Sequence, residues 1–146
     1  MRIREVTERT DELSDKLFRV WEASVRATHL FLSEAEILRI RAYVPQAVAA
    51  VDHLVVAETE NGEPIGFLGA KNQRLEMLFL SPGIRDKGLG RQLLEYGIQH
   101  FGIRELTVNE QNPQAVGFYR HMGFQPYRRT DADEQGGPYP LLYMKK

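Results

Sequence analysis

The sequence predicts a mixed α/β fold, a sheet of about six or seven strands with helices on both faces. Three observations carry that reading. Short apolar, β-branched runs alternate with stretches whose apolar residues recur every three or four positions, so both element types share one chain. Asn61-Gly62, the favoured dipeptide of a tight hairpin, separates two such runs. Residues 74–101 then read as strand, glycine-bearing turn and helix, the connection that lets a parallel strand follow.

Taken in order, Ile3 and Val6 in polar surroundings suggest a first strand. Thr10 or Asp11 can cap a helix whose apolar stripe runs through Leu13, Leu17, Val20 or Trp21, Ser24 and Val25. Ser33 with Glu36 forms a capping box for a second helix, which Pro45 should bend or interrupt. Residues 53–59 and 64–69 pair as an antiparallel hairpin through Asn61-Gly62, and Asn72-Gln73 turns the chain into a strand over residues 74–80. From Leu89 the apolar residues Leu93, Leu94, Ile98 and Phe101 fall on one helix face, and residues 104–108 supply the next strand. Asn112-Pro113 opens a last helix, a side-chain cap followed by a proline where no N–H is needed, ending at Gly123. Residues 124–128 and 138–143 look like a closing strand pair across a polar loop.

A chain of 146 residues can enclose a real core as one domain. Hydrophobic residues make up 42% and charged ones 27%, which excludes a disordered or fibrous chain, and no apolar run reaches bilayer-spanning length. Nineteen Lys and Arg against twenty Asp and Glu leave a net charge of −1, so no overall basic field draws nucleic acid or membrane, and any anion site must be local. There is no cysteine, and the first residues carry no signal-peptide core, which together suit a cytoplasmic protein. His29, His53, His100 and His121 lack the close repeat of a zinc site, so no metal is expected.

The chemistry concentrates in Arg85-Asp86-Lys87-Gly88-Leu89-Gly90-Arg91. Unpaired N–H groups at a helix start carry partial positive charge, and glycines let a ligand reach the main chain, so this turn is suited to a phosphate. A nucleotide P-loop would need Gly-Lys-Ser/Thr closing the turn, and a dinucleotide fold a third glycine where Leu93 stands. Both fit poorly.

Arg85-x-x-Gly88-x-Gly90, preceded by residues 78–82, resembles the acetyl-CoA signature of the GNAT superfamily of N-acetyltransferases. Residues 108–112 followed by Ala115, Phe118-Tyr119 and Gly123-Phe124 resemble its second motif at the usual distance. Residues 27–33, 109–112 and 137–142 are further similar to its bacterial YjaB branch. The resemblance implies a GNAT-like acyltransferase fold over residues 1–146, with a splayed central strand pair that admits the cofactor's pantetheine arm, and acetyl-CoA as cofactor. It implies that the backbone of Leu78, Phe79 and Leu80 binds the arm and points an N–H at the thioester oxygen, where negative charge develops. The pyrophosphate would rest on the N–H groups of Asp86, Lys87, Gly88, Leu89, Gly90 and Arg91, with the side chains of Arg85, Lys87 and Arg91 adding charge.

Tyr119 matches the family position that protonates the departing thiolate, although a core aromatic also explains it. Asn112 matches a cofactor-contacting residue and is equally explained as a cap. Glu76, two residues before Leu78, is expected on the same side of the strand as Leu78 and Leu80, where burial would favour a general base; the other readings are a strand residue that faces water and a proton removed through a water chain. Trp21 and His29, near the loop between the first two helices, and Tyr139, approaching from the opposite side, are expected to meet the acceptor or to serve as packing. The resemblance thus implies direct attack by a primary amine, small-molecule or peptide, on a monomer or homodimer. The other reading is a silent CoA-binding sensor or partner-docking module of the same fold. Tyr119 separates the two, because only turnover needs a proton donor near sulfur.

Overall fold

The computed structural model describes residues 1–146, apart from the side chains of Arg85, Asp86 and Lys87. Its elements are β1 (Arg2–Glu5), α1 (Asp11–Thr28), α2 (Glu34–Arg41), α3 (Val44–Ala50), β2 (His53–Glu58), β3 (Pro64–Lys71), β4 (Arg74–Leu80), a 3₁₀ helix (Pro82–Lys87), α4 (Leu89–Phe101), β5 (Glu105–Asn109), α5 (Pro113–His121), β6 (Gln125–Thr130) and β7 (Leu141–Lys145). The seven strands form one sheet in the order β1-β2-β3-β4-β5-β7-β6, so the mixed α/β fold is present with its full strand count. All neighbouring pairs are antiparallel except β4 and β5.

Side-chain alternation along the strands divides the core in two. Leu54, Val56, Phe67 and Met77 pack with Leu17, Val20, Trp21 and Val25 of α1, Ile37 of α2 and Val44 and Val48 of α3. Val55, Ala57, Leu68, Leu106 and Val108 pack on the other face with Leu89, Leu93 and Leu94 of α4. Because both faces are covered, β2 reads as a continuous apolar run rather than an alternating one. On α4, Gly97 permits the closest helix–sheet approach: a Cβ there would stand 2.5 Å from Ile103 Cδ1 and 3.3 Å from Leu68 Cδ1.

Several boundaries depart from expectation for local reasons. Pro45 does not bend one helix but starts a new one, within the first turn of α3, where its missing N–H costs nothing. Asn61-Gly62 belongs to a five-residue loop, closed by Thr59 N–H donating to Glu63 C=O at 2.9 Å, instead of forming a two-residue turn. Asn72 and Gln73 do form one, both at positive φ (53° and 64°), as a tight hairpin requires. The closing strands run later than expected, and β7 inserts between β5 and β6.

At the far edge, Glu58 is buried at 4% exposure, and its Oε1 accepts from Arg2 Nη2 at 2.7 Å and Arg4 Nε at 2.9 Å. Desolvation pushes its carboxyl pKa up, but the two guanidinium groups outweigh that and hold it below the usual carboxylate value. A depressed folded-state pKa adds stability that is complete above the unfolded value of 4.5 and is lost as pH falls through the folded one. Glu58→Gln should therefore cost about 1–2 kcal/mol at pH 7, the lower part of the range for charged hydrogen bonds because both arginines reach water. In urea melts, the wild-type lead over the variant should shrink below pH 4.5; a lead that stays constant down to pH 3 would contradict the ion-pair assignment.

Candidate active site

The site begins with a failure of pairing. The parallel ladder between β4 and β5 holds for two steps, Arg74 with Glu105 and Leu75 with Leu106, and then stops. Each strand remains paired on its outer side, β4 with β3 as far as Leu80 and β5 with β7 as far as Asn109. Backbone groups of Met77 to Leu80 that face the gap thus have no strand partner. The cause is visible in β4: Ala70 pairs with Leu75 and Gly69 with Met77, so Glu76 is an extra, bulged residue. A bulge sharpens twist and bends its strand, which turns β4 away from β5 at this point.

A cavity of about 590 Å³, in the range of ligand-binding clefts, fills the gap and emerges on both faces of the sheet. On the α1 face its walls include Ser24, Thr28 and His29; on the α4 face they include Gly88, Gly90, Arg91, Ala115, Phe118 and Tyr119. Glu76, Leu78, Phe79 and Leu80 line it from β4, and Thr107, Val108 and Asn109 from β5.

At the α4 end, the helix start is open. Thr10, Ser33 and Asn112 cap α1, α2 and α5 with side-chain oxygens, whereas α4, like α3, has no side-chain cap among the described residues. Among the described residues, the helical ladder begins with Gln92 N–H donating to Gly88 C=O at 3.1 Å, and the N–H groups of Leu89, Gly90 and Arg91 belong to the turn before it. Gly88 precedes them at φ 78°, and a Cβ there would meet nothing within 4 Å among the described residues, which leaves the main chain open to ligand atoms on that side. This is the geometry that holds a diphosphate.

Among the expected cofactor residues, the side chain of Leu89 turns inward at 2% exposure, so only its backbone can serve. Arg91 lines the cleft, but its Nε is committed to Glu95 Oε1 at 2.7 Å, which partly neutralises its charge. Asn112 lines the cleft while its Oδ1 accepts from Ala115 N–H at 3.4 Å, so cap and cleft wall coexist. The side chains expected of Arg85, Asp86 and Lys87 lie outside the described residues.

Tyr119 opens partly to the cleft, with its ring 5.3 Å from Phe118 and edge-on to Phe124 at 6.3 Å. The protein massed around it pushes its phenol pKa well up, so the group holds its proton at any physiological pH. Glu76 lines the cleft and is exposed, so of the two expected settings it has the one that faces water and not the buried one. The bulge also breaks the alternation on which its facing was based: Leu78 and Leu80 pack toward α4, Met77 and Phe79 toward α1.

The acceptor candidates divide. Trp21 is not at the cleft: at 4% exposure it belongs to the core, 6.1 Å from Phe18, because α1 needs a large apolar residue at that contact with the sheet. His29 does line the cleft. It ends α1, its Nδ1 lies 2.8 Å from Thr28 Oγ1, and burial lowers its pKa, so the ring is neutral near pH 7. Tyr139 precedes β7 and approaches from the same side as His29, not the opposite one: its ring is 5.8 Å from Phe31, itself 5.4 Å from His29, and its hydroxyl donates to Glu36. Ser24, Thr28, Thr107 and Phe118 also line the cleft and are not among the expected site residues. A small polar residue on an apolar helix stripe was a signal for Ser24, and Thr107 follows Leu106 in the register opposite β4.

The Acetyltransferase (GNAT) domain family matches residues 34–139, which include the gap and the open helix start. The chain belongs to the GNAT acetyltransferase family. It is 40% identical over 133 residues to the peptidyl-lysine N-acetyltransferase YjaB of Salmonella typhimurium, covering 91% of each protein. The solution structure of apo YjaB from Escherichia coli superposes with a TM-score of 0.87 at 36% identity, covering 99% of this chain and 97% of that one. The PaiA N-acetyltransferase of Thermoplasma acidophilum, solved with coenzyme A, shares the fold at a TM-score of 0.67 and 23% identity, with both chains fully covered. This GNAT protein is thus an acetyl-CoA-dependent N-acetyltransferase, resembling YjaB in particular, and a silent sensor is not favoured. No helix is long and apolar enough to cross a membrane among the described residues.

Gly88 tests the cradle with a pair of isosteric side chains that both tolerate its positive φ. Gly88→Asp should weaken CoA binding on the order of tenfold or more beyond Gly88→Asn, since like charges about 4–6 Å apart repel by at least 1.4 kcal/mol near a protein surface. Calorimetry giving equal affinities for the two variants would refute a phosphate at this helix start.

Proposed function

We propose that the chain acetylates lysine side chains of proteins or peptides, as one domain that uses the gap between β4 and β5 as its reaction site. The single observation that carries this is a cavity passing through the sheet, with an anion cradle on one face and polar groups on the other. Such a passage lets two substrates meet from opposite sides, which suits direct transfer within a ternary complex. The lysine acceptor is supported by its YjaB relative, a peptidyl-lysine N-acetyltransferase at 40% identity. Dependence on acetyl-CoA, a cytoplasmic metabolite, supports a cytoplasmic setting.

When bound, acetyl-CoA supplies a thioester carbonyl that an amine nitrogen can attack. The backbone of Leu78, Phe79 and Leu80 on the gap side would hold the extended arm as an added strand, with an N–H directed at the carbonyl oxygen. N–H groups at the start of α4 would bind the diphosphate, with Asn112 beside it. Tyr119 would give its phenolic proton to sulfur as the C–S bond breaks, a role supported by its cleft position. Glu76, exposed to water in the same cleft, would take the amine's proton directly or through water. Without a cysteine, no thiolate can form an acyl-enzyme.

In steady-state assays with acetyl-CoA and a lysine-containing peptide, Tyr119→Phe should lower kcat by roughly 10²–10⁴-fold, the usual worth of a positioned acid, and leave CoA affinity unchanged. Glu76→Gln should lower kcat with the same separation from cofactor binding. Wild-type kcat in Tyr119→Phe would remove the phenol from the mechanism, and absence of acetyl transfer to any lysine peptide by a CoA-binding wild type would overturn the proposed acceptor.

A further inference from the structure

On the α1 face of the gap, two side chains have hydrogen-bonding capacity that the fold does not use. The first is Thr107. Among the described residues its Oγ1 is the buried side-chain polar atom without a hydrogen-bond partner. A buried unpaired hydroxyl is destabilising, and in an enzyme cleft its natural partner is a ligand. Its position is specific: Leu106 is the last β5 residue paired to β4, so Thr107 stands at the closed end of the gap, one step on from Leu106 as Glu76 is from Leu75. Leu106 and Val108 pack toward α4, so alternation turns Thr107 toward the face that carries α1.

The second is His29. The Thr28 hydroxyl donates to Ser24 C=O at 2.8 Å, so its oxygen is left to accept from His29 Nδ1, also at 2.8 Å. That pattern assigns the ring proton to Nδ1 and leaves Nε2 with a lone pair. Both Thr107 and His29 line the same cavity, together with Glu76.

We propose that Thr107 Oγ1 and His29 Nε2 accept the two N–H bonds of a neutral primary amine and thereby aim its lone pair into the gap. The inference rests on the proposed lysine-acetylating function and adds the acceptor subsite to it. A primary amine has two hydrogens and one lone pair in a pyramidal arrangement, so two fixed acceptors leave the lone pair one direction. As that pair forms the N–C bond and the C–S bond breaks, the N–H proton held by His29 Nε2 leaves the nitrogen and passes through water to Glu76 in the same cavity, and the sulfur gains the Tyr119 proton, which balances the transfer. A secondary amine has one N–H and can satisfy only one of the two acceptors. The subsite therefore selects alkylamines of the lysine side-chain type over their N-methylated forms.

The probes are Nα-acetyl-lysine methylamide and its Nε-monomethyl counterpart, assayed on the full chain with acetyl-CoA. Wild type should prefer the primary amine by about tenfold or more in kcat/KM. Thr107→Val, which keeps the shape and removes the hydroxyl, should raise KM for the primary amine severalfold and reduce that preference, with CoA affinity unchanged by calorimetry; Thr107→Ser should restore both. His29→Leu should have the same effect as Thr107→Val. Wild-type KM and preference in Thr107→Val and His29→Leu, with the wild type turning over the lysine probe, would overturn the subsite and leave the lysine-acetylating function standing. Should Thr107→Val fail to fold, Thr107→Ser behaving as wild type while His29→Leu keeps its full preference would also overturn it. Failure of the wild type to acetylate either probe would defeat the proposed function and the subsite together.

Discussion

The structure turns on the parting of two parallel strands. Hydrogen-bonded β4 and β5 would close the sheet and leave the two halves of the core with no passage between them. The bulge at Glu76 prevents this after two residue pairs, at the cost of several backbone groups without a strand partner. Those groups are tolerated because each strand is secured on its far side, by β3 and by β7. What remains is a slot with rigid walls, where an extended ligand can take the part of a missing strand.

The helices around the slot are arranged to serve it from opposite faces. α4 is fixed by Leu93 and Leu94, both fully buried, so its open start cannot shift to find a side-chain cap. α1 is fixed by Leu17, Val20, Trp21 and Val25, and its C-terminal turn brings Ser24, Thr28 and His29 to the other opening. Trp21 matters to the site through this anchoring, not by touching a substrate. Phe31, Tyr139 and Glu36 then tie the loop after α1 to the loop before β7 and to the capping box of α2, which steadies the neighbourhood of His29.

One physical effect prepares both ionisable rings of the cleft. Burial disfavours charge, so it raises the pKa of the Tyr119 phenol and lowers that of the His29 imidazole. The first thereby keeps its proton and the second stays without an added one, so both rings are neutral. Glu76, exposed to water, stands apart from this pair and has a route by which a proton can leave.

Sequence alone determined what depends on neighbours along the chain. The caps at Thr10, Ser33 and Asn112, the turn at Asn72-Gln73, the span of α4 and the glycine-bearing start of that helix all follow from local backbone preferences and hydrogen bonds. Motif spacing carried the family and its cofactor because the phosphate-binding residues are contiguous. Tertiary structure alone decided the insertion of β7 between β5 and β6, the burial of Trp21, the exposure of Glu76 and the approach of Tyr139 to Phe31. Each of these depends on which strand or helix lies opposite, and period-two reasoning loses its phase at a single inserted residue. Thr107 shows the limit most plainly: nothing near it in the chain marks its hydroxyl as unpaired, because its surroundings depend on where β5 parts from β4.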